Sequence, residues 1–404
     1  MRAIVPGALT ALAAARRPWD VVVVGGGVAG TAAAIMLGRD ARVLVLEAGN
    51  YSGWQIGESL PPDARPLLSD LGVLPRFLSC DHLPCHGSSS AWGSDRPGFN
   101  DFLYNPNGHG WHLDRVRFER FLAREATQAG ATVVTGTRLV AARSSASGLE
   151  IDVRAQDGEP LTLETVLAVD ATGVGAALAR ALGAERIGDG ALLCRSALLA
   201  SDAISHTADS LTRIEATPDG WWYLAQLPGA TRVAAFFTDP DLAPDIRTEP
   251  GWRARLDRTK HLARRVGDAA ASPVRSHAVP LGHLAPSGGA RWLAVGDAAF
   301  SCDPILSQGL YAALLSGTRA AKRISAALAE GRCLTVAPDE AARDYAAART
   351  RTRALYAVEQ RWPEAPFWQR RQASATVDNA VPTVGERVIR TSMNIKKSDE
   401  ITDI

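Results

Sequence analysis

Four valines, Val21–Val24, run directly into Gly25-Gly26-Gly27-Val28-Ala29-Gly30. A short continuous apolar run of this kind reads as a central parallel strand buried on both faces. The Ala-rich stretch from Gly30 to Leu37 then reads as a helix, and Arg42-Val43-Leu44-Val45-Leu46-Glu47 as a second strand. The glycines keep the G-x-G-x-x-G spacing, and Glu47 places an acid where a dinucleotide-binding β-α-β unit needs one. In that reading Gly25 permits the tight turn. Gly27 lets the backbone approach a pyrophosphate, and Gly30 lets helix and strand pack closely. The helix start at Val28 and Ala29 offers unpaired N–H groups and a positive dipole end to the pyrophosphate. Glu47, followed by Ala48, would accept hydrogen bonds from the adenosine ribose. A glycine-rich turn with no nucleotide is the competing reading, and the presence of Glu47 weighs against it.

A second glycine turn lies far downstream. Trp292-Leu293-Ala294-Val295 leads into Gly296-Asp297, and Asp303-Pro304 and Gly309 follow. Between the two turns the pattern changes several times. From Ala48 to about Gly110 glycine and proline punctuate the chain, which predicts loops and short elements over a ligand. A short helix is expected within Pro62–Leu71. Leu113 to Ala129 reads as an amphipathic helix, with Val116, Phe118, Phe121, Leu122 and Ala126 on one face and Asp114 at its N-cap. Strands are expected at 132–134, 149–153 and 166–169, the last ending at Asp170-Ala171-Thr172-Gly173. A β-rich insert follows, with strands at 191–199, 221–227 and 233–238 and a helix from Trp252 to Val266. Arg291–Val295 is the last strand. Helices are expected from Ser307 to Leu328 and from Asp339 to Trp362, and the tail from Asn394 is polar.

The fold class expected is α/β: a Rossmann-like domain of the GR2 type with an inserted β-rich substrate domain and C-terminal helices. Residues 1–18 form an N-terminal extension. Segments 19–80, 111–181 and 284–330 build the discontinuous nucleotide domain. Segments 81–110 and 182–283 build the substrate domain, and 331–404 form a C-terminal helical region with a polar tail.

Net charge is +1 over 404 residues, so no basic stripe argues for nucleic acid. Cys80, Cys85, Cys194, Cys302 and Cys333 are few and odd in number, which suits a reducing, cytoplasmic setting rather than a disulfide framework. Cys80-x4-Cys85 with His82 and His86 lacks the second ligand pair of a structural zinc site, so no metal is expected. The stretch from Met1 to Ala15 mimics a short signal peptide, but Arg16-Arg17 closes it and the first strand follows at once; it reads as an extension or an upstream start. No apolar run reaches the length of a membrane span.

Four segments, Gly25–Gly30, Gly57-Glu58-Ser59-Leu60-Pro61-Pro62, Asp170-Ala171-Thr172-Gly173 and Gly296-Asp297-Ala298 with Asp303-Pro304 and Gly309, come in an order that resembles the flavin-dependent monooxygenase and halogenase superfamily of the p-hydroxybenzoate hydroxylase fold. Gly108-His109-Gly110-Trp111-His112-Leu113-Asp114-Arg115 looks like the branch holding the tryptophan halogenases. It looks still more like the flavoproteins that help install tryptophan-derived quinone cofactors. The resemblance covers residue 19 to about 330. It implies FAD as cofactor and molecular oxygen as co-substrate. Electrons would come from NAD(P)H directly or from a separate flavin reductase, because Asp170–Ala176 departs from the form seen in hydroxylases with built-in NADPH use.

By the same resemblance, the cofactor-binding set comprises Gly25, Gly27, Val28, Ala29, Gly30, Glu47, Ala48, Glu58, Ser59, Asp170, Thr172, Gly173, Gly296, Asp297, Pro304, Gly309 and Leu310, with Arg115 and Arg117 as candidates for the phosphates. N–H groups at Gly309 and Leu310 would face the pyrimidine edge of the flavin and stabilise negative charge there. Glu58, His109 and His112 are candidate proton-handling residues, and Pro304 and Ser307 would shape the loop against the ring. Trp92, Trp111, Trp221, Trp222 and Tyr223 are candidate substrate aromatics, each with an alternative reading as core.

Tryptophan halogenases carry an essential lysine after the first β-α-β unit and a W-x-W-x-I-P motif. Here the lysines are Lys260, Lys322, Lys396 and Lys397, none between Glu47 and Gly110, and the corresponding motif reads Gly220-Trp221-Trp222-Tyr223-Leu224-Ala225-Gln226-Leu227-Pro228. The expected activity is therefore hydroxylation of an indole or phenol, free or on a peptide or protein, through a flavin C4a-hydroperoxide. Halogenation, reduction of an isolated double bond, and a non-catalytic flavin sensor or assembly partner are the rivals.

Overall fold

In the computed structural model the described residues are 18–155, 158, 160–200, 210–229, 231–242 and 244–372. The N-terminal extension up to residue 17 and the polar tail lie outside them. The chain divides into two compact units. The first comprises Met1–His82, Trp111–Leu192 and Ala278–Thr352, and the second Leu83–Gly110, Leu193–His277 and Arg353–Ile404. Among the described C-terminal residues, those up to Thr352 fall in the first unit and Arg353 to Gln372 in the second.

In the first unit Trp19–Val24 pairs in parallel with Val43–Leu46 on one side and with Thr165–Asp170 on the other. Thr132–Val134 extends the sheet beyond Val43–Leu46, and Trp292–Ala294 lies parallel to Ala168–Asp170. Both faces of the valine strand are covered. Val21 and Val23 join one core with the helices Val28–Leu37, Arg115–Gln128 and Gly309–Ala329, whereas Val22 and Val24 join another with Leu149, Ile151 and Val153. That double burial is why the run is apolar without alternation.

The strand expected at 166–169 is longer, Pro160–Asp170. Its first half forms an antiparallel ladder with Leu149–Ala155, which pairs in turn with Thr137–Ser144. Asp114 caps the helix Arg115–Gln128 as expected, accepting from the Arg117 N–H at 3.0 Å.

The second unit is built on a sheet in the order Leu193–Ala200, Thr231–Thr238, Gly220–Leu227, Leu211–Thr217, Gly87–Ala91, Gly98–Asp101. Two strands therefore come from the stretch expected as loops and short elements. Trp222, Leu224 and Phe236 on one face pack under Trp252, Leu256 and Leu262. The helix expected from Trp252 to Val266 is two, Glu249–Leu256 and Leu262–Val266. The break has a cause: the buried Glu215 carboxylate accepts from the N–H groups of Lys260, His261 and Leu262 at 2.5, 3.0 and 3.0 Å, capping the second helix.

Candidate functional site

Three turns of the first unit meet at the ends of its parallel strands. Gly25 N–H donates to the Leu46 carbonyl at 2.8 Å, Ala171 N–H to Val24 at 2.7 Å, and Val295 N–H to Asp170 at 2.9 Å. The contacts are close enough to require glycine. A Cβ at Gly25, where φ is +106°, would strike the Ala171 carbonyl, and one at Gly30 would strike the Gly25 carbonyl. A Cβ at Gly296 would press on Ala29 at 3.0 Å. The turns at 25–30, 171–173 and 296–298 are thus packed against one another.

Gly27 behaves differently. A Cβ there meets no protein atom within 4 Å, and the same holds at Gly173 and Gly309. The first internal hydrogen bond of Val28–Leu37 is Thr31 N–H to Gly27, and that of Gly309–Ala329 is Ala312 N–H to Gln308. Val28, Ala29 and Gly30 at one helix, and Gly309, Leu310 and Tyr311 at the other, therefore have no carbonyl of their own helix to donate to. Neither helix start has a side-chain cap or an acid in its first turn. Two uncapped positive helix ends beside open-sided glycines suit an anionic, phosphate-bearing ligand.

The side chains around this cleft have specific tasks. Glu47 accepts from the N–H groups of Gly26 at 2.7 Å and Gly49 at 2.6 Å, so it braces the glycine turn; its remaining lone pairs are what a ribose could use. Tyr51, buried and at φ +54°, donates its hydroxyl to the Gly26 carbonyl at 2.9 Å. Asp170 is fully buried and accepts from Thr172 N–H, Thr172 Oγ1 and Ala179 N–H at 2.9, 2.7 and 2.7 Å. Its carboxylate organises its own turn, leaving Thr172 and Gly173 toward the open side. Burial raises its carboxyl pKa against the pull of those bonds.

Arg115 donates to the carbonyls of Ile56 at 3.1 Å and Gly57 at 2.9 Å and pairs with Glu119 at 2.5 Å. It fastens the loop that carries Glu58 and Ser59. Arg117, by contrast, is exposed and faces Asp81 at 3.5 Å. Glu58 is 1% exposed, and its carbonyl accepts from Leu113 N–H at 2.8 Å. Ser59 pairs with the fully buried His112 across a two-residue antiparallel ladder. Asp303, also buried, accepts from Ile305 N–H at 3.0 Å and caps the turn Pro304–Leu306. Ser307 sits at φ +54° before the helix, which begins at Gly309 rather than at Ser307, and the Leu310 side chain is buried in the core.

Asp297 is exposed, yet protein around it raises its carboxyl pKa through desolvation, with Arg115 and Arg186 pulling the other way. A side chain reached by solvent but flanked by protein lines a concavity. Cys302, next along, is pushed up to about 11 by burial and by Asp297 and Asp303.

The aromatic candidates, each read from the sequence as pocket or core, are placed as follows. Trp111 is buried, edge-on to Phe77 at 5.1 Å and with Arg65 4.9 Å from its ring. Trp221 stacks on Phe237 and donates its indole N–H to Tyr356 at 3.0 Å; Trp222 stacks on Phe236 on the opposite face. Each is 1% exposed, so their surface is spent on packing. Trp92 donates to the Leu355 carbonyl at 2.8 Å, and Tyr223 is half-buried. His109 belongs to the second unit, its Nδ1 2.8 Å from the Gly110 carbonyl, whereas His112 belongs to the first. Tyr51 and Arg186 carry no local motif, and nothing in the sequence around them could have singled them out.

Residues 20–92 and 100–387 match the tryptophan halogenase family model. The chain is 30% identical to LodB of Marinomonas mediterranea, described as an FAD-dependent oxidoreductase, over 90% of this chain and 99% of that one. Among solved structures, the myxobacterial chondrochloren halogenase CndH superposes with a TM-score of 0.77 at 20% identity, covering 93% of this chain and 88% of that one. QhpG, a peptidyl tryptophan dihydroxylase essential for tryptophylquinone cofactor biogenesis, superposes with a TM-score of 0.66 at 23% identity, covering 88% and 79%.

Proposed function

Because the chain belongs to the tryptophan halogenase family, and is an FAD-dependent oxidoreductase as its relatives are, we propose that it hydroxylates an electron-rich aromatic ring, an indole or phenol that is free or borne on a peptide or protein. FAD, once reduced, supplies the oxygen chemistry by which one atom of dioxygen reaches the substrate. NAD(P)H or a separate flavin reductase would deliver the electrons. The residues present fit that cofactor. Val28, Ala29 and Gly30 would hold the pyrophosphate, Glu47 the ribose, and the N–H groups of Gly309 and Leu310 the electron-rich edge of the ring. Glu58, His109 and His112 remain the proton-handling candidates.

One observation carries hydroxylation over halogenation: no lysine stands between Glu47 and Gly110. The two lysines among the described residues lie elsewhere in the chain. Lys260 pairs with Asp95 in the second unit, and Lys322 is on the exposed side of Gly309–Ala329. Halogenation is the second reading, favoured by the family match and the likeness to CndH. No described helix is long and apolar enough to cross a membrane.

The test is a single-turnover reaction of reduced FAD, dioxygen and the protein with indole, a phenol or a tryptophan-containing peptide, with and without chloride or bromide. The expected product is heavier by one oxygen and unaffected by halide. A halogenated product would establish the second reading, and reoxidation of the flavin with no product would leave a redox sensor.

A further inference from the structure

Arg186 stands in the strand Glu185–Ala200, in a stretch with no recognisable motif. Its guanidinium donates through Nη1 to the Asp297 carbonyl at 3.0 Å and leans through Nη2 on the Gly282 carbonyl at 3.4 Å. Its buried Nε has no hydrogen-bond partner among the described residues. Burial disfavours its charge, and Asp297 and Tyr345 are the groups that favour it. An arginine half-buried with an unmet donor is costly unless the site needs its cation.

Resting on the reading of this cleft as an FAD site, we infer that Arg186 is a positioning residue for the cofactor: it fastens the Gly296–Asp297 turn by its carbonyl and supplies a cation to the Asp297 side chain. The turn it holds is the one whose glycine packs on Ala29 and whose Gly296 N–H donates to Ser316 Oγ at 2.9 Å. A shift of this turn would disturb both uncapped helix ends together. The charged and titratable groups around Asp297 are Arg115 from the helix Arg115–Gln128, Arg186 from its strand, and Cys302 with Asp303 from the following loop; Tyr345 of Glu340–Val358 reaches Arg186 and Cys302. Among the described residues, the groups that favour the Asp297 carboxylate over its neutral form are the two arginines. Removing one leaves the desolvation by the surrounding protein less opposed, so the carboxyl would hold its proton to higher pH.

FAD affinity, measured by flavin fluorescence or calorimetry from pH 5 to 9 on the wild type, R186Q, R186K, D297N and R186Q/D297N, tests the inference without any turnover. R186Q should weaken FAD binding about tenfold near neutral pH, the loss expected for one charge-assisted hydrogen bond. It should also move the pH below which FAD is released upward, and R186K should restore that pH profile. In the D297N background R186Q should shift no pH midpoint. A thermal melt of each apo protein shows whether it is folded. R186Q with wild-type affinity and pH profile, or an R186Q shift that persists in D297N, overturns the inference. A wild type that takes up no FAD at any pH overturns the underlying cofactor reading, and the inference with it, by a different signature.

Discussion

Alanine at Gly27 and alanine at Gly30 are expected to fail in different ways. At Gly27 the added methyl meets no protein atom, so the fold should lose under about 1 kcal/mol, the size of an N-cap change, while FAD affinity drops because the methyl occupies the pyrophosphate's approach. At Gly30 the methyl strikes the Gly25 carbonyl, so the fold itself should lose roughly 1–3 kcal/mol, the usual cost of overpacking. Urea melts of the apo proteins and FAD titrations separate the two. Equal loss of stability in both variants would show that Gly27 also serves the protein's own packing. The crowding at Gly25 and Gly30 was legible in the sequence because it follows from the spacing of local glycines against one strand and one helix. The bracing by Tyr51 and Arg186 was not, since each meets its partner only after the chain has folded back over it. Trp221 and Trp222 make the same point from the other side: neighbours in a strand face opposite ways, and each was claimed by packing in the second unit.

At the scale of elements, local pattern served well where a core face repeats and poorly where a distant side chain ends the element. The helix Arg115–Gln128 was readable from Phe118, Leu122 and Ala126 with a cap at Asp114. The break between Glu249–Leu256 and Leu262–Val266 was not, because Glu215 supplies it from another strand.

The short helix Leu74–Leu78 carries a testable liability of this long-range kind. His82 follows it, with its ring 5.0 Å from Phe77 and 6.0 Å from Phe118, and with both ring nitrogens buried and without a hydrogen-bond partner among the described residues. Burial, helped by Arg117 and opposed by Asp114 and Asp81, pushes its pKa from 6.5 down to about 4. The folded state therefore prefers the neutral ring. No stability is lost above the ordinary pKa; the loss grows as pH falls from about 6.5 and levels off near 4, where the folded form also binds the proton. Replacing His82 with phenylalanine should flatten the dependence of the urea midpoint on pH in that window by roughly 2 kcal/mol. An unchanged slope would mean that the ring takes up its proton in the folded protein at its ordinary pKa.

On the scale of the whole molecule, every turn that meets at the cleft lies in one unit. The glycine turn, the Asp170 turn and the Gly296–Gly309 loop all belong to Met1–His82, Trp111–Leu192 and Ala278–Thr352. A β-α-β unit at one end of the chain and a glycine turn at the other must share a sheet if one nucleotide is to touch both, and that requirement is what the sequence could express. The pairing of Gly87–Ala91 and Gly98–Asp101 into the second unit's sheet was not specified by the glycines and prolines there, which read as loops and short elements without a register. A ligand bound by these turns adds stability only to states in which they are formed, by about 2.7 kcal/mol at a hundredfold excess over Kd. FAD should therefore raise the urea midpoint and slow hydrogen exchange first at amides 28–31 and 309–312, whose N–H groups lie at the two helix starts. Protection confined instead to Gly220–Leu227 or Thr231–Thr238 would place the ligand on the second unit and remove the basis for assigning these helix starts to it.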